Sequence, residues 1–419
     1  MAERPRLLLR EWSRLTPQDC PVLRGRSLEA ADRALLARLA ARSSLRVEEL
    51  RHGLRIEVGP HVGTVTLSAL RLDILPKLSL RHWLAMAGRV FALPQWLWAD
   101  AMSSLAPGDE GLADLLGLAL LRALRALERT GLRQDYRERE AALAAPRGRL
   151  RFDRLERFGR RRLYCRYAEP DPATLVNRVL AGGVTQVCRL LLDAGLEQAL
   201  RRLAARLFTG LDPLPADTHW LRQARRELLM RPGRDAAYRD ALTLLALLAQ
   251  GEYPAQPGEG PALGGFLLDM NALFEWFLDE HLRRHAPPGL QIASQETRAD
   301  AFAYLDNPLR WHRPRIRPDL VFRRAGCPIA VGDAKYRDYR RQPPGSGELF
   351  QLTAYGLAYP LPEPRQVLLF HPLADGEEAS SATLLFAPGA SPHRVHIRLV
   401  GVPLARLLEG EGWWPEGLA

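Results

Sequence analysis

Lysine is almost missing from this chain. Its 419 residues include 59 lysines and arginines, and only Lys77 and Lys335 are lysine. A phosphate-binding P-loop needs lysine directly after glycine, in G-x-x-x-x-G-K-[ST]. Here the two lysines follow Pro76 and Ala334, so the chain cannot be its own nucleotide-driven motor. Cysteine is nearly as scarce. Cys20, Cys165, Cys188 and Cys327 lie far apart, with no C-x-x-C pair and no Cys/His cluster. That spacing argues against a zinc site and a disulfide framework and favours a reducing, cytoplasmic setting. Long apolar runs are also lacking. The opening MAERPRLLLREW is charged throughout and the apolar helices are broken by arginine, so no export signal or membrane span is expected.

What the chain does have is positive charge: net +11 and a pI of about 10.0. Such a balance favours a polyanionic partner, although 48 acidic residues leave general arginine enrichment as an equally good account. Length points to two or three domains, and 47% hydrophobic residues to a globular protein.

The most informative stretch is Ile316 to Arg337, IRPDLVFRRAGCPIAVGDAKYR. It reads as two strands, IRPDLVF and PIAVGDAKY, joined by a turn at Ala325 and Gly326. Asp319 falls in the first strand, and Asp333 and Lys335, two apart on the second, share a face. Two carboxylates and an ammonium then converge in the pattern P-D…D-x-K. Such a set suits a divalent metal held against a phosphodiester. The Asp pair supplies hard oxygen ligands, with the Ala334 carbonyl as a further one, and the ammonium orients water or offsets developing charge. In a chain that uses arginine almost everywhere, a lysine retained beside two aspartates marks a place where a guanidinium does not fit. The bland alternative is a solvated surface hairpin.

Three regions follow from the patterning: a β-rich unit over 1–105, a mainly helical region over 106–255, and an α/β unit over 256–419. In the first, a helix fits Ala30–Arg42 and strands fit LRVEEL, LRIEVG, VGTVTLS and LRLDILP. In the second, GLADLLGLALLRALRALERTG has helical spacing with a stop at Gly131, and Asp171 with Pro172 reads as the cap and first turn of another helix. The Arg-dense segment Arg147–Tyr167 reads either as a nucleic-acid contact or as an alternating-charge hairpin with its aromatics inward. The Pro/Gly-rich residues 251–265 read as a linker that few contacts should cross. In the third region a helix capped by Asp269 is followed by strands at LQIASQE, AFAYL, IRPDLVF and PIAVGDAKY. A helix at GELFQLTAYGLAY and strands at RQVLLFH, ATLLFAP and RVHIRLV complete it.

The order of elements with Pro318-Asp319, Asp333 and Lys335 resembles the PD-(D/E)XK nuclease fold with its central mixed sheet. More narrowly, DILPK, GLRQDY, RGRL, Asn177-Arg178, DMNALFEWF, RPDLVF, GDAKY and QLTAY, in this order, resemble the McrC family of McrBC-type modification-dependent restriction systems. The resemblance implies that Asp319, Asp333 and Lys335 are catalytic with Mg²⁺ or Mn²⁺ as cofactor. It places Glu275 on the first nuclease helix, and Gln351 and Tyr355 beside the site as a Q-x-x-x-Y pair. It also implies two partners: DNA, methylated or otherwise modified, and a separate McrB-like AAA+ GTPase ring on which the N-terminal region docks. Glu275 as an exposed helix residue, and Gln351 and Tyr355 as packing, are the plain readings of the same positions. A nuclease of a repair pathway and a non-catalytic regulator of a ring NTPase are the rival functions. Gly332, before Asp333, departs from the expected layout, since a β-branched residue would pack better in a strand.

Overall fold

A chain with this little lysine and this much leucine folds by apolar periodicity, and most of the expected elements form. The computed structural model describes residues 4–40, 45–97, 111–157, 162–230, 235–249, 264–339, 342–373, 381–387 and 394–418. The N-terminal strands are Arg6–Arg10 (β1), Arg14–Leu15 (β2), Arg46–Leu50 (β3), Gly53–Glu57 (β4), His61–Thr66 (β5) and Arg71–Leu75 (β6), with a helix at Ala30–Ala40. β2, β4 and β3 form one small sheet, and β1, β6 and β5 lie side by side in another.

In the middle region the helices Leu112–Thr130, Leu175–Cys188, Ala194–Leu207, Thr218–Met230 and Ala236–Ala249 bury their leucine stripes against one another. The helix expected to open at Asp171 begins at Leu175 instead, because the Thr174 side chain accepts the Asn177 N–H as its cap. Asp171 ends a strand and turns the chain by accepting the Ala173 N–H at 2.9 Å. Asn177 is fully buried and joins two of the sequence motifs. Its amide donates to the Arg133 and Pro172 carbonyls, and its oxygen accepts from the Tyr238 hydroxyl at 2.6 Å.

The basic segment lies in an antiparallel arm of Asp135–Leu143 (β7), Arg149–Leu150 (β8) and Leu163–Asp171 (β9). Residues 158–161, with Phe158, lie outside the described residues; of the described arginines of the arm, Arg139 pairs with Glu169, Arg151 with Glu140 and Arg166 with Glu138, and Arg147 and Arg154 lie over the rings of Tyr167 and Tyr164. That is the alternating-charge arrangement, except that Phe152 points to solvent.

The expected linker needs correction. Residues 251–263 lie outside the described residues, but Gly264 and Gly265 open a strand, Gly264–Asp269 (β10), that pairs antiparallel with β5 from Gly264↔Thr66 to Asp269↔His61. The two sides of this interval are therefore closely joined. The two strands approach so closely that a Cβ on Gly63, held at φ +143°, would lie 2.1 Å from the Phe266 carbonyl oxygen. Phe266 is fully buried in a core shared by Val62, the middle helices and the C-terminal region.

From β10 the chain enters the helix Met270–His285, capped by Asp269 as expected. A six-stranded mixed sheet follows, made of Leu290–Ser294 (β11), Leu320–Arg324 (β12), Cys327–Ala334 (β13), Arg365–Pro372 (β14), Ser381–Phe386 (β15) and Val395–Val402 (β16). Its order is β11-β12-β13-β14-β16-β15, with β13, β14 and β16 parallel. Strand alternation puts Val321, Val331, Val367 and Leu369 under the helix Ser346–Ala358 and turns Phe322, Leu368 and Phe370 toward the helix Met270–His285. The sheet is thus covered on both faces. AFAYL, expected as a strand, is exposed irregular chain. No helix among the described residues is long and apolar enough to cross a membrane.

A second seam joins the two ends of the chain. Glu11, 1% exposed, accepts the Lys77 N–H at 2.6 Å and the Tyr336 hydroxyl at 3.0 Å. Burial, opposed by these donors, pushes its carboxyl up to about 7 from 4.5.

Two outcomes follow from these seams. Phe266→Ala removes a filled core position common to both halves, at a cost of about 3–5 kcal/mol. Thermal unfolding followed by near- and far-UV dichroism is expected to show the whole chain melting together at lower temperature; an unchanged N-terminal transition would contradict the shared core. Because the folded state holds the Glu11 proton more tightly than the unfolded state, stability falls as pH rises from about 4.5 to about 7, by up to roughly 3 kcal/mol. Glu11→Gln is expected to flatten this part of the melting-temperature profile and to leave it unchanged below pH 4.5.

Candidate metal and phosphodiester site

The last turn before β12 and the end of β13 bring the acidic residues together. Asp319 directly precedes Leu320, one residue outside the strand in which the pattern placed it. Its Oδ2 accepts the Ala334 N–H at 2.8 Å, which fixes the carboxylate against the end of β13. Asp333, 2% exposed, is the penultimate residue of that strand. Lys335 lies just past it, and its backbone N–H continues the parallel ladder to the Phe370 carbonyl at 2.9 Å. The Lys335 ammonium meets Asp333 Oδ2 at 2.6 Å. The three residues singled out in the sequence therefore meet at one end of the sheet.

Gly332 has a physical reason to be glycine. A Cβ there would sit 2.9 Å from the Phe370 ring and 3.3 Å from the Phe322 ring. The two rings fill the volume that a β-branched residue would need, so the departure noted in the sequence is a packing requirement.

The electrostatics are those of crowded negative charge. Burial, and then the neighbouring Asp319 charge, push the Asp333 carboxyl well above the usual carboxylate range. Burial also opposes the Lys335 ammonium, but Asp333 and then Asp319 outweigh it and raise its pKa. Glu275, on the helix Met270–His285, is raised by burial and by Asp319. Like charges held this close are relieved by a cation.

Sequence reasoning missed the residue that ties Glu275 to this group. Gln295 follows β11 in a left-handed conformation, φ +52°. Its side-chain amide donates both to Glu275 Oε1 and to Asp319 Oδ1, the latter at 3.0 Å, while its backbone N–H donates to the Asp319 carbonyl at 3.0 Å. A polar residue after a strand carries no pattern that would single it out. Gln351 and Tyr355 lie one helical turn apart on Ser346–Ala358. The Gln351 amide donates to the Tyr355 hydroxyl at 2.5 Å, which donates to the Arg317 carbonyl at 3.2 Å, two residues before Asp319. Tyr355 is buried, and burial followed by the Asp333 charge pushes its phenol up to about 12.

The donor set fits Mg²⁺. That ion takes one or two carboxylates and keeps several waters instead of demanding a protein cage. The described residues offer the Asp319 and Asp333 carboxylates beside the Ala334 backbone, and no three His, Cys, Asp or Glu among them form a group that could hold a metal ion unaided.

Solved structures share the fold described above. A chain of the refined half-complex from the tetradecameric assembly of Thermococcus gammatolerans McrB AAA+ hexamers with bound McrC superposes with a TM-score of 0.67 at 18% identity, covering 94% of each chain. A chain of the Thermococcus gammatolerans McrBC complex determined by cryo-EM gives 0.50 at 17% identity, covering 67% of this chain and 88% of the other. At these identities the likeness is one of fold. No curated protein matches. The model of the McrBC 5-methylcytosine restriction system component matches residues 56–372, three quarters of the sequence and all of the site described above. The chain belongs to that family.

Proposed function

We propose that this chain is the McrC-like nuclease subunit of a modification-dependent restriction system, a PD-(D/E)XK enzyme that hydrolyses DNA phosphodiesters with Mg²⁺ or Mn²⁺. The convergence of Asp319, Asp333 and Lys335 where the start of β12 meets the end of β13 carries the reading. Asp319, Asp333 and the Ala334 carbonyl would hold the ion. When bound, the ion supplies a more acidic water and a counter-charge for the phosphate. The chain's own residues do the rest. Asp333 aims the Lys335 ammonium at the space beside the two carboxylates, where it can orient a water or donate to a phosphate oxygen. Gln295 keeps Glu275 and Asp319 in register, and the Gln351–Tyr355 pair braces the turn that delivers Asp319.

The motor would be a separate McrB-like AAA+ GTPase, because neither lysine lies in a P-loop. Residues 1–105 would dock on its ring, 106–255 would form the helical connection, and 256–419 would cut. One of the Thermococcus structures that share this fold is an assembly of McrB AAA+ hexamers with bound McrC, which supports the pairing.

Asp319→Ala, Asp333→Ala and Lys335→Ala are each expected to lower cleavage of a methylated plasmid, with the motor present, by about 10²-fold or more while the chain still melts in one cooperative transition. Lys335→Arg should fail as well, since a forked guanidinium replaces a point charge; full activity in that variant would remove Lys335 from the reaction. Activity is expected with Mg²⁺ and Mn²⁺ and to be weak with Ca²⁺, which prefers longer bonds and more ligands. Gln295→Leu should raise the Mg²⁺ concentration needed for half-maximal cleavage by about 10- to 100-fold, the usual effect of losing a group that orients a ligand.

GTPase assays on the motor separate nuclease from regulator. Lys335→Ala is expected to stimulate hydrolysis normally, whereas Lys77→Ala, whose ammonium lies 5.8 Å from the Trp12 ring at the seam, is expected to stimulate less. If Lys335→Ala cuts as well as the native chain, the nuclease reading fails.

A further inference from the structure

Between β11 and Asp319 the chain makes an excursion, residues 299–315, that no function above has used. Its base is fastened to the site. Arg298 and Ile316 bridge to each other, the Arg298 guanidinium donates to the Ala358 carbonyl at 2.9 Å, and it lies over the Tyr359 ring. The second leg runs through Arg317, whose charge is felt at Glu275, directly into Asp319.

The tip has an unusual surface. Phe302, Tyr304 and Trp311 are exposed, Trp311 by 63%. Every residue from Pro308 to Arg315 is exposed, and among the described residues Arg310, Arg313 and Arg315 have no carboxylate partner, in contrast to the arginines of the β7–β9 arm. The exposed rings do not hang on floppy chain. Asn307 clamps Trp311 from both sides, its amide donating to the Trp311 carbonyl and its oxygen accepting the Trp311 N–H, each at 2.9 Å, and the Tyr304 hydroxyl donates to the His312 carbonyl at 3.2 Å. Uncompensated guanidiniums interleaved with held, outward-facing rings match a phosphate backbone with bases available for stacking. Protein interfaces also favour aromatics and arginine; what favours nucleic acid here is that the excursion leads directly into Asp319 of the candidate phosphodiester site.

We infer that residues 299–315 form a nucleic-acid guide, in which Arg310, Arg313 and Arg315 grip phosphates and Trp311 and Phe302 stack on bases opened beside the scissile bond. The inference rests on the nuclease reading for its substrate, but its test does not. Binding is measured by fluorescence anisotropy with the full chain in EDTA, where no cutting occurs, on a short duplex and on the corresponding single strand, over a salt series.

Arg310→Ala/Arg313→Ala/Arg315→Ala is expected to weaken both complexes at least tenfold and to reduce the slope of log affinity against log salt by about two to three on the duplex, near one for each phosphate no longer neutralised. Trp311→Ala/Phe302→Ala should weaken the single strand about fivefold or more and the duplex less, because stacking needs an open base. A triple variant with native affinity and native salt slope overturns the guide. So does a Trp311→Ala/Phe302→Ala chain that binds DNA normally yet has a different mass by light scattering, which would make the face a contact with a second copy. Absence of Mg²⁺-dependent cutting by the native chain, with binding through the loop intact, would count against the nuclease reading and leave the guide standing.

Discussion

The pairing of β10 with β5 is the constraint on which the rest of the molecule depends. β5 is buried along its whole length, so its second edge needs a strand beside it, and the chain supplies one from some two hundred residues later. That strand runs straight into the helix that carries Glu275 and covers one face of the large sheet. The position of the candidate site is thereby set by a hydrogen-bonded ladder in the N-terminal sheet. Phe266 belongs to one apolar cluster that takes in Val62 and Trp83, the middle helices and one face of the large sheet, beside separate clusters in the N-terminal unit and under the helix Ser346–Ala358.

At the site a single backbone hydrogen bond has a similar organising role. Asp319 belongs to an irregular turn, yet the Ala334 N–H holds its carboxylate beside Asp333. The resulting cluster places two buried or half-buried carboxylates together with one ammonium. Net negative charge in poor solvent is unfavourable for the protein alone. The fold tolerates it because strand pairing and the packing of Phe322 and Phe370 around Gly332 fix the backbone. Under the proposed function, a cation and the phosphate of a substrate would relieve this charge.

Much of this was legible in the sequence, and for identifiable reasons. Asp333 and Lys335 could be assigned to one face because the side-chain period of a strand is two and Val331 lies inward. The scarcity of lysine made Lys335 conspicuous. The Asp269 cap followed from a side chain that bonds backbone two residues on, and the stop at Gly131 from glycine's tolerance of positive φ, both of which act within a few residues. What could not be read were relations that depend on distant chain. Gly264–Asp269 looked like the end of a Pro/Gly linker because nothing in those six residues names β5 as their partner. Gln295 bridges Glu275 and Asp319 only because three separate elements meet there. Glu11 gave no sign of being buried, since its partner Tyr336 stands 325 residues away.

The Glu11–Tyr336 contact also bears on how the molecule would behave if its covalent continuity were broken. The chain at Lys335 and Tyr336 is held on one side by the Phe370 carbonyl, which accepts the Lys335 N–H, and on the other, through the Tyr336 hydroxyl, by a carboxylate near the N-terminus. Together with β5 and β10 it forms a second, independent fastening between the segments that flank residues 250–263. A protease cutting within that interval would yield two polypeptides that remain one particle, with Lys335 still in place. Gel electrophoresis in detergent would report two fragments where sedimentation reports a single species, and fragment size would be a poor guide to the functional unit.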